Sequence, residues 1–415
     1  MSDRRWIALL CVARAGFALI FVAYSASLGL LKRDWGLSSA QAGLIQSAFH
    51  VGFLFSLFAI GFLADRYGAK RTYLATSVAA CISGAAFALF ANGFLSAILL
   101  HALTGLCSGG SYTPGLTLIA ERFPAERRGR AMGYYLAAAS LGYAVSLWLS
   151  SVLIVASGWR AALLACALGP VAASLLAAWV LRSTRNVVYP AGYANPLRAL
   201  ADVWRNKPAM LAIWAYAAHS WELLGMWAWM PTYLGVVLAH GRDVGAGKAS
   251  LGIAYAALSY LISTAGSVGG GVLSDRWGRT AVILLMSLAS LACSFTFGWM
   301  IAAPVWIVVA VAISYNLTAI GDSSVYSTAL TELVPGHCLG AAWALRSVLG
   351  FGVGAVSPWM FGMVLDLWPG TGGVRPAAAW GWAWTVLGVG AVLGPLATVR
   401  LRALRESAHM AGGKR

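Results

Sequence analysis

Twelve apolar runs, each about 20 residues or longer, fill this chain, near 7–31, 39–63, 72–92, 94–120, 131–156, 160–181, 208–238, 249–273, 280–301, 304–331, 340–367 and 378–400. Helices of that length cross the hydrocarbon of a bilayer, and in lipid their backbone groups must bond within their own segment. Composition agrees: of 415 residues 60% are hydrophobic and only 10% charged, too few for the polar skin a soluble protein of this size needs. An all-α membrane protein of twelve transmembrane helices follows, with the lipid bilayer as its first partner.

Orientation is read from Lys and Arg in the connections. Those on one side carry 21 of the 29 and those on the other carry 6, while Arg14 and Arg346 fall inside spans. Both termini are therefore expected in the cytoplasm, with the chain in a bacterial inner membrane. The net charge of +16 is spread over loops instead of gathered on one face. It is accounted for by topology and attraction to anionic lipid, so no nucleic-acid partner is implied. Five of the six cysteines lie in spans, Cys338 lies at an edge, and no Cys or Cys/His spacing suits a metal. No metal or cofactor is expected. The first apolar run is too long for a signal peptide and is span 1.

The chain also repeats itself. GFLADRYGAKRTYL at Gly61–Leu74 returns as GVLSDRWGRTAVI at Gly271–Ile283, each with Gly four residues before Asp, Arg next, and a second Gly three residues after the Asp. ERFPAERRGRAMG from Glu121 returns in outline as ELVPGHCLGAAWA from Glu332, with Glu, Pro and Gly each displaced by 211 residues. Two offsets that agree to one residue indicate an internal duplication. Between the copies, residues 183–207 break helix at Pro190, Gly192, Asn195 and Pro196 and are rich in Arg. The expected organisation is a six-helix bundle over 1–182, a cytoplasmic linker over 183–207 and a second six-helix bundle over 208–415.

With twelve spans in two halves, one motif between spans 2 and 3 and its copy between spans 8 and 9, the chain resembles the major facilitator superfamily of secondary transporters. The resemblance implies two pseudo-symmetric bundles around a central cavity that opens to each side in turn. Gly61 allows close helix packing and Gly68 a turn with positive φ. In the family the motif Asp meets an Arg at the start of span 5 and the N-terminus of span 11, which maps the latch here to Gly61, Asp65, Arg66, Gly68, Arg71 and Arg130. The second copy supplies Asp275, Arg276 and Gly278, but the position matching Arg130 is Ala341. A weaker latch is expected there.

Ionisable groups inside spans mark function, and here they are few. Span 1 has Arg14, then Phe17, Phe21 and Tyr24 at helical spacing; span 4 has His101, Thr104, Ser108 and Ser111. Span 7 has Tyr216, His219 and Glu222; span 10 has Tyr315, Thr318, Asp322 and Tyr326; Arg346 lies in span 11. Spans 1, 4, 7 and 10 line the cavity in the family. Candidate substrate-binding residues are thus Arg14, Phe21, Tyr24, His101, Ser108, Tyr216, Tyr315 and Arg346, and candidate proton-coupling residues are Glu222, Asp322 and His219. Three pairings stay open. Asp322 either neutralises Arg346 or is free. Arg14 either grips an anionic substrate through its planar fork or caps backbone carbonyls. Glu222 either carries a proton or stays bonded to His219 or Tyr216.

The leading function is proton-coupled or exchange transport of a small organic anion by a monomer. The alternative is a drug/proton antiporter, whose span-5 signature GxxxGPxxGG is missing from MGYYLAAASLGYAVSLWLSS. A non-transporting receptor or a membrane enzyme comes third. Neither a Walker loop nor an acid, base or metal constellation for catalysis is present, so no enzyme is expected.

Overall fold

The computed structural model describes residues 1–188, 196–240, 244–368, 370 and 375–414; the side chains of 61, 62, 65, 125, 126, 128–130, 196, 197 and 337 lie outside the description. The first half comprises α1 (Asp3–Asp34), α2 (Ser39–Tyr67), α3 (Ala69–Phe90), α4 (Phe94–Ser108), α5 (Thr113–Arg122) and α6 (Ala125–Leu181). After α7 (Pro196–Arg205) come α8 (Lys207–Leu238), α9 (Ala246–Trp277), α10 (Arg279–Phe297), α11 (Val305–Gly321), α12 (Ser323–Leu333), α13 (Leu339–Asp366), α14 (Ala377–Ala391) and α15 (Leu393–Ala403).

Among the described residues, ten helical stretches are long and apolar enough to cross a membrane. One of them is α6, whose 57 residues are two spans joined at Gly158, where φ is +80°. The stretches do not include α8, 32 residues long, whose four tryptophans, two prolines, His219 and Glu222 dilute its apolar character. Counting α6 twice and adding α8 gives the twelve spans read from the sequence. With an even number of crossings both termini share one face, called the terminal face below, and the α1–α2 connection lies on the opposite face.

Local chemistry sets the ends. Ser38 caps α2 reciprocally: its Oγ accepts from Gln41 N at 3.1 Å and its N donates to Gln41 Oε1 at 3.0 Å. Gly68 and Gly278, the second glycines of the repeated motif, take φ of +87° and +96° and turn α2 into α3 and α9 into α10. A side chain there would be strained. Two spans are broken at matching places. The α4–α5 span breaks through a short tight turn at Gly109–Ser111, and the α11–α12 span breaks at Asp322, 211 residues beyond Ser111. Such a break leaves backbone groups unpaired and makes room for polar side chains in mid-membrane.

Within the halves, α1 packs on α6 and α8 on α13; between them, α2 packs on α13 and α6 on α9. Close approach of α2 and α13 depends on glycine, because a Cβ at Gly43 would collide with the Pro358 carbonyl and one at Gly362 with the Ser39 carbonyl. Hydrogen bonds join the halves near the opposite face. Ser25 Oγ donates to the carbonyls of Trp227 and Ala228, Ser250 Oγ donates to Ser151 O at 2.6 Å, and Asp366 accepts from Ser39 N at 3.0 Å and Ala40 N at 2.7 Å. Not every tryptophan near a span end is an interfacial anchor: Trp229 is buried, stacks on Phe361 and donates to Pro358 O at 3.0 Å.

Candidate functional site

In the first half the charge in the membrane is Arg14, the twelfth residue of α1 and roughly 16 Å along it. The side chain is buried, and Nη1 donates to Ser111 Oγ at 2.5 Å, at the break after α4. Its guanidinium carbon lies 5.7 Å from the Tyr112 ring centre and 5.6 Å from that of Tyr135. Tyr135 is itself fixed, its hydroxyl donating to Ser111 O. Arg14 Nε is buried without a partner, and among the described residues no carboxylate forms an ion pair with this guanidinium. A hydroxyl and two ring faces stabilise a cation without neutralising it. The alternative in which Arg14 caps carbonyls is not what the structure shows.

The second half places an imidazole and two carboxylates at comparable depth. His219 Nδ1 lies 2.9 Å from Asp322 Oδ1, and Nε2 bonds Ser323 Oγ at 2.7 Å, both partners being at the break between α11 and α12. Glu222, one turn further along α8, accepts from Ser290 Oγ at 3.0 Å and from Ser294 Oγ at 2.6 Å, and the Ser294 and Tyr315 hydroxyls are bonded to each other. All three ionisable side chains are at most 6% exposed. Glu222 is therefore held by serines of α10, and not by His219 or Tyr216, which the sequence left as one of two alternatives. Neither serine stood out in the sequence, yet Ser287, Ser290 and Ser294 recur every three or four residues, the spacing of one helix face.

Arg346 does not pair with Asp322. Nη1 donates to Ser327 Oγ, and the guanidinium stacks 4.3 Å from the Tyr216 ring and 5.4 Å from that of Trp343. Asp322 has turned to His219 instead.

Several candidate substrate residues fall away from Arg14 into packing. His101 is 2% exposed, with both ring nitrogens unpartnered among Tyr24, Phe49 and Phe87, whose ring centres lie within 4.9 Å. Tyr24 donates to Ala42 O at 2.9 Å, and Phe21 sits edge-on to Phe49 and Phe53. Ser108 is bonded to the Thr104 carbonyl of its own helix at 2.6 Å. Tyr315 belongs with Glu222 and Tyr216 with Arg346. The physical reason is that an aromatic ring on a helix face that fits the bundle interior gains more from apolar burial than from facing a wet cavity.

The sequence model of the Major Facilitator Superfamily matches residues 8–345. The chain belongs to this superfamily. Among curated proteins it is 27% identical over 379 residues to the probable sulfoacetate transporter SauU of Cupriavidus necator, covering 84% of this chain and 85% of that one. It is 24% identical over 361 residues to the hexuronate transporter of Bacillus subtilis (strain 168), covering 83% of each. Among solved structures it matches a bacterial homolog of the human lysosomal transporter Spinster in an inward-facing, unoccupied conformation, with TM-score 0.72, 16% identity and 97% of each chain covered. The nucleoside transporter NupG matches with TM-score 0.74 and 15% identity, covering 96% of this chain and 100% of that one. These two likenesses establish the fold. The chain is an integral membrane protein of a transporter superfamily and not an enzyme.

Of the superfamily's loop motif, the side chains of Gly61, Asp65 and Arg130 lie outside the described residues. Around the first turn, Asn186 of the linker donates to Tyr67 O at 2.8 Å and accepts from Arg71 N at 3.2 Å, while Arg66 lies against the Tyr67 ring. In the second copy Asp275 pairs with Arg279, which also donates to Glu332 at 2.9 Å and to Ser274 at 2.7 Å. Arg276 is exposed beside the Gly278 turn. Asp275 is thus paired within its own half.

Proposed function

We propose that this chain carries a small organic anion across a bacterial inner membrane by alternating access, coupled to protons. The observation that carries the reading is Arg14: a buried, permanent cation with a hydroxyl and aromatic faces for company and, among the described residues, no counterion. A carboxylate or sulfonate reaching Nε and Nη of this fork supplies the missing charge through two charge-assisted bonds. Relatives whose names specify sulfoacetate and hexuronate, both anions, support the same substrate class.

Coupling is assigned to the second half. The His219–Asp322 pair and the serine-held Glu222 offer places for one transferable proton, and burial favours the neutral form of a carboxyl group. Residues 1–182 and 208–415 are proposed to rock as bodies, with Asp65 and Arg130 latching the terminal face, which the charge bias in the loops puts in the cytoplasm.

The test is transport of labelled sulfoacetate and galacturonate by proteoliposomes, with and without an imposed pH gradient. Transport by the wild type is expected to require Arg14, with Arg14→Ala losing about 100-fold, the size of a lost charge-assisted pair. Full transport of both anions by Arg14→Ala would sink the assignment.

A further inference from the structure

On the opposite face, between the two halves, lies a cavity of about 450 Å³, bounded by the end of α1, the start of α2, α8, α9 and α13. Lys32, Arg33 and Arg375 line it together with the indoles of Trp229 and Trp380. Among the described residues its charges do not cancel. Asp366, the carboxylate beside it, already accepts from Ser39 N, Ala40 N and Arg375 Nη2, the last at 2.7 Å. Lys32 is half-buried, feels both the repulsion of Arg375 and the attraction of Asp366, and has no hydrogen bond or ion pair among the described residues. Arg33 has only an exposed contact of 3.6 Å with Asp34.

Asp366 offsets part of the repulsion between Lys32 and Arg375 but bonds only the second, so the half-buried Lys32 ammonium is left without a direct counterion among the described residues. The last turn of α1 gives Lys32 and Arg33 a favourable helix dipole, but that does not account for a cavity walled by indole. A cavity lined by cationic groups and two indoles suits a compact organic anion with an apolar or aromatic body.

We propose that this cavity is an anion entry site, gripped by Lys32 and separate from the Arg14 site; Arg375 is held by Asp366 and by the Leu365 and Trp368 carbonyls and supplies only its field. Its place on a transport path rests on the reading of the chain as an anion carrier; its capacity to bind an anion does not. The site holds solute arriving at the opposite face while Asp366 keeps α2 and α13 together.

The experiment is equilibrium titration of the purified full chain with sodium benzoate, in neutral detergent and in nanodiscs of phosphatidylcholine. Wild type and Arg14→Ala are expected to bind, Lys32→Gln to bind about tenfold more weakly, and Lys32→Arg to restore binding at an unchanged melting temperature. No binding to wild type, or equal binding by Lys32→Gln, overturns the site. Binding lost when phosphatidylglycerol replaces phosphatidylcholine assigns the cavity to a lipid headgroup and overturns the solute reading. In transport assays Lys32→Gln is expected to raise KM and leave turnover unchanged. If instead the wild type transports neither anion while the benzoate result stands, the carrier reading fails and the entry site survives.

Discussion

Arg14 and His219 occupy corresponding places in the two halves and meet opposite chemistry. They are the twelfth and thirteenth residues of α1 and α8, helices of 32 residues each, and their partners Ser111 and Asp322 stand at the two matching helix breaks. In the first half the partner is a hydroxyl, so the guanidinium keeps its full charge. In the second it is a carboxylate, 2.9 Å from the imidazole. One scaffold position thus differs between the halves: a hydroxyl beside a guanidinium in the first, a carboxylate beside an imidazole in the second.

The comparison breaks most directly at Ser111. Ser111→Asp would give Arg14 an internal counterion and make the first half resemble the second; anion transport is expected to fall about 100-fold, with the melting temperature maintained or raised. Undiminished transport by that variant would show that Arg14 does not need its vacancy. Next in size is Glu222→Gln, which cannot release a proton. Accumulation driven by a pH gradient is expected to drop about tenfold while substrate exchange across equal pH persists; parallel loss of both would make Glu222 structural. Asp322→Asn leaves His219 without its carboxylate and should lower accumulation driven by a pH gradient several-fold while exchange at equal pH persists. Undiminished accumulation would remove the pair from coupling.

The repeated loop motif sharpens the same contrast at the surface. Asp65→Asn is expected to reduce transport several-fold, from a coupling of about 1–3 kcal/mol, and Asp275→Asn to reduce it less, because Asp275 is paired inside its own half. Equal losses in one liposome assay would reject the asymmetry. Smallest is Ser290→Ala, which removes one of the two serine donors to Glu222 and should cost about 1 kcal/mol of stability, read as a modest fall in melting temperature.

The sequence alone settled the twelve spans, the duplication and the glycine turns at Gly68 and Gly278, because each depends on neighbours along the chain. Apolar run length fixes what crosses lipid, and a positive φ selects glycine locally. Arg14, His219, Glu222, Asp322 and Arg346 were also visible as costly charges within apolar runs. Their partners were not. Each residue turns a helix face by about 100°, so a small rotation in packing decides which side chain on a neighbouring helix comes within 3 Å. That is why His219 and not Arg346 took Asp322, why the serines of α10 took Glu222, and why His101 ended among aromatic rings. Tertiary packing alone also drew Lys32 and Arg375, far apart in sequence, to the walls of one cavity.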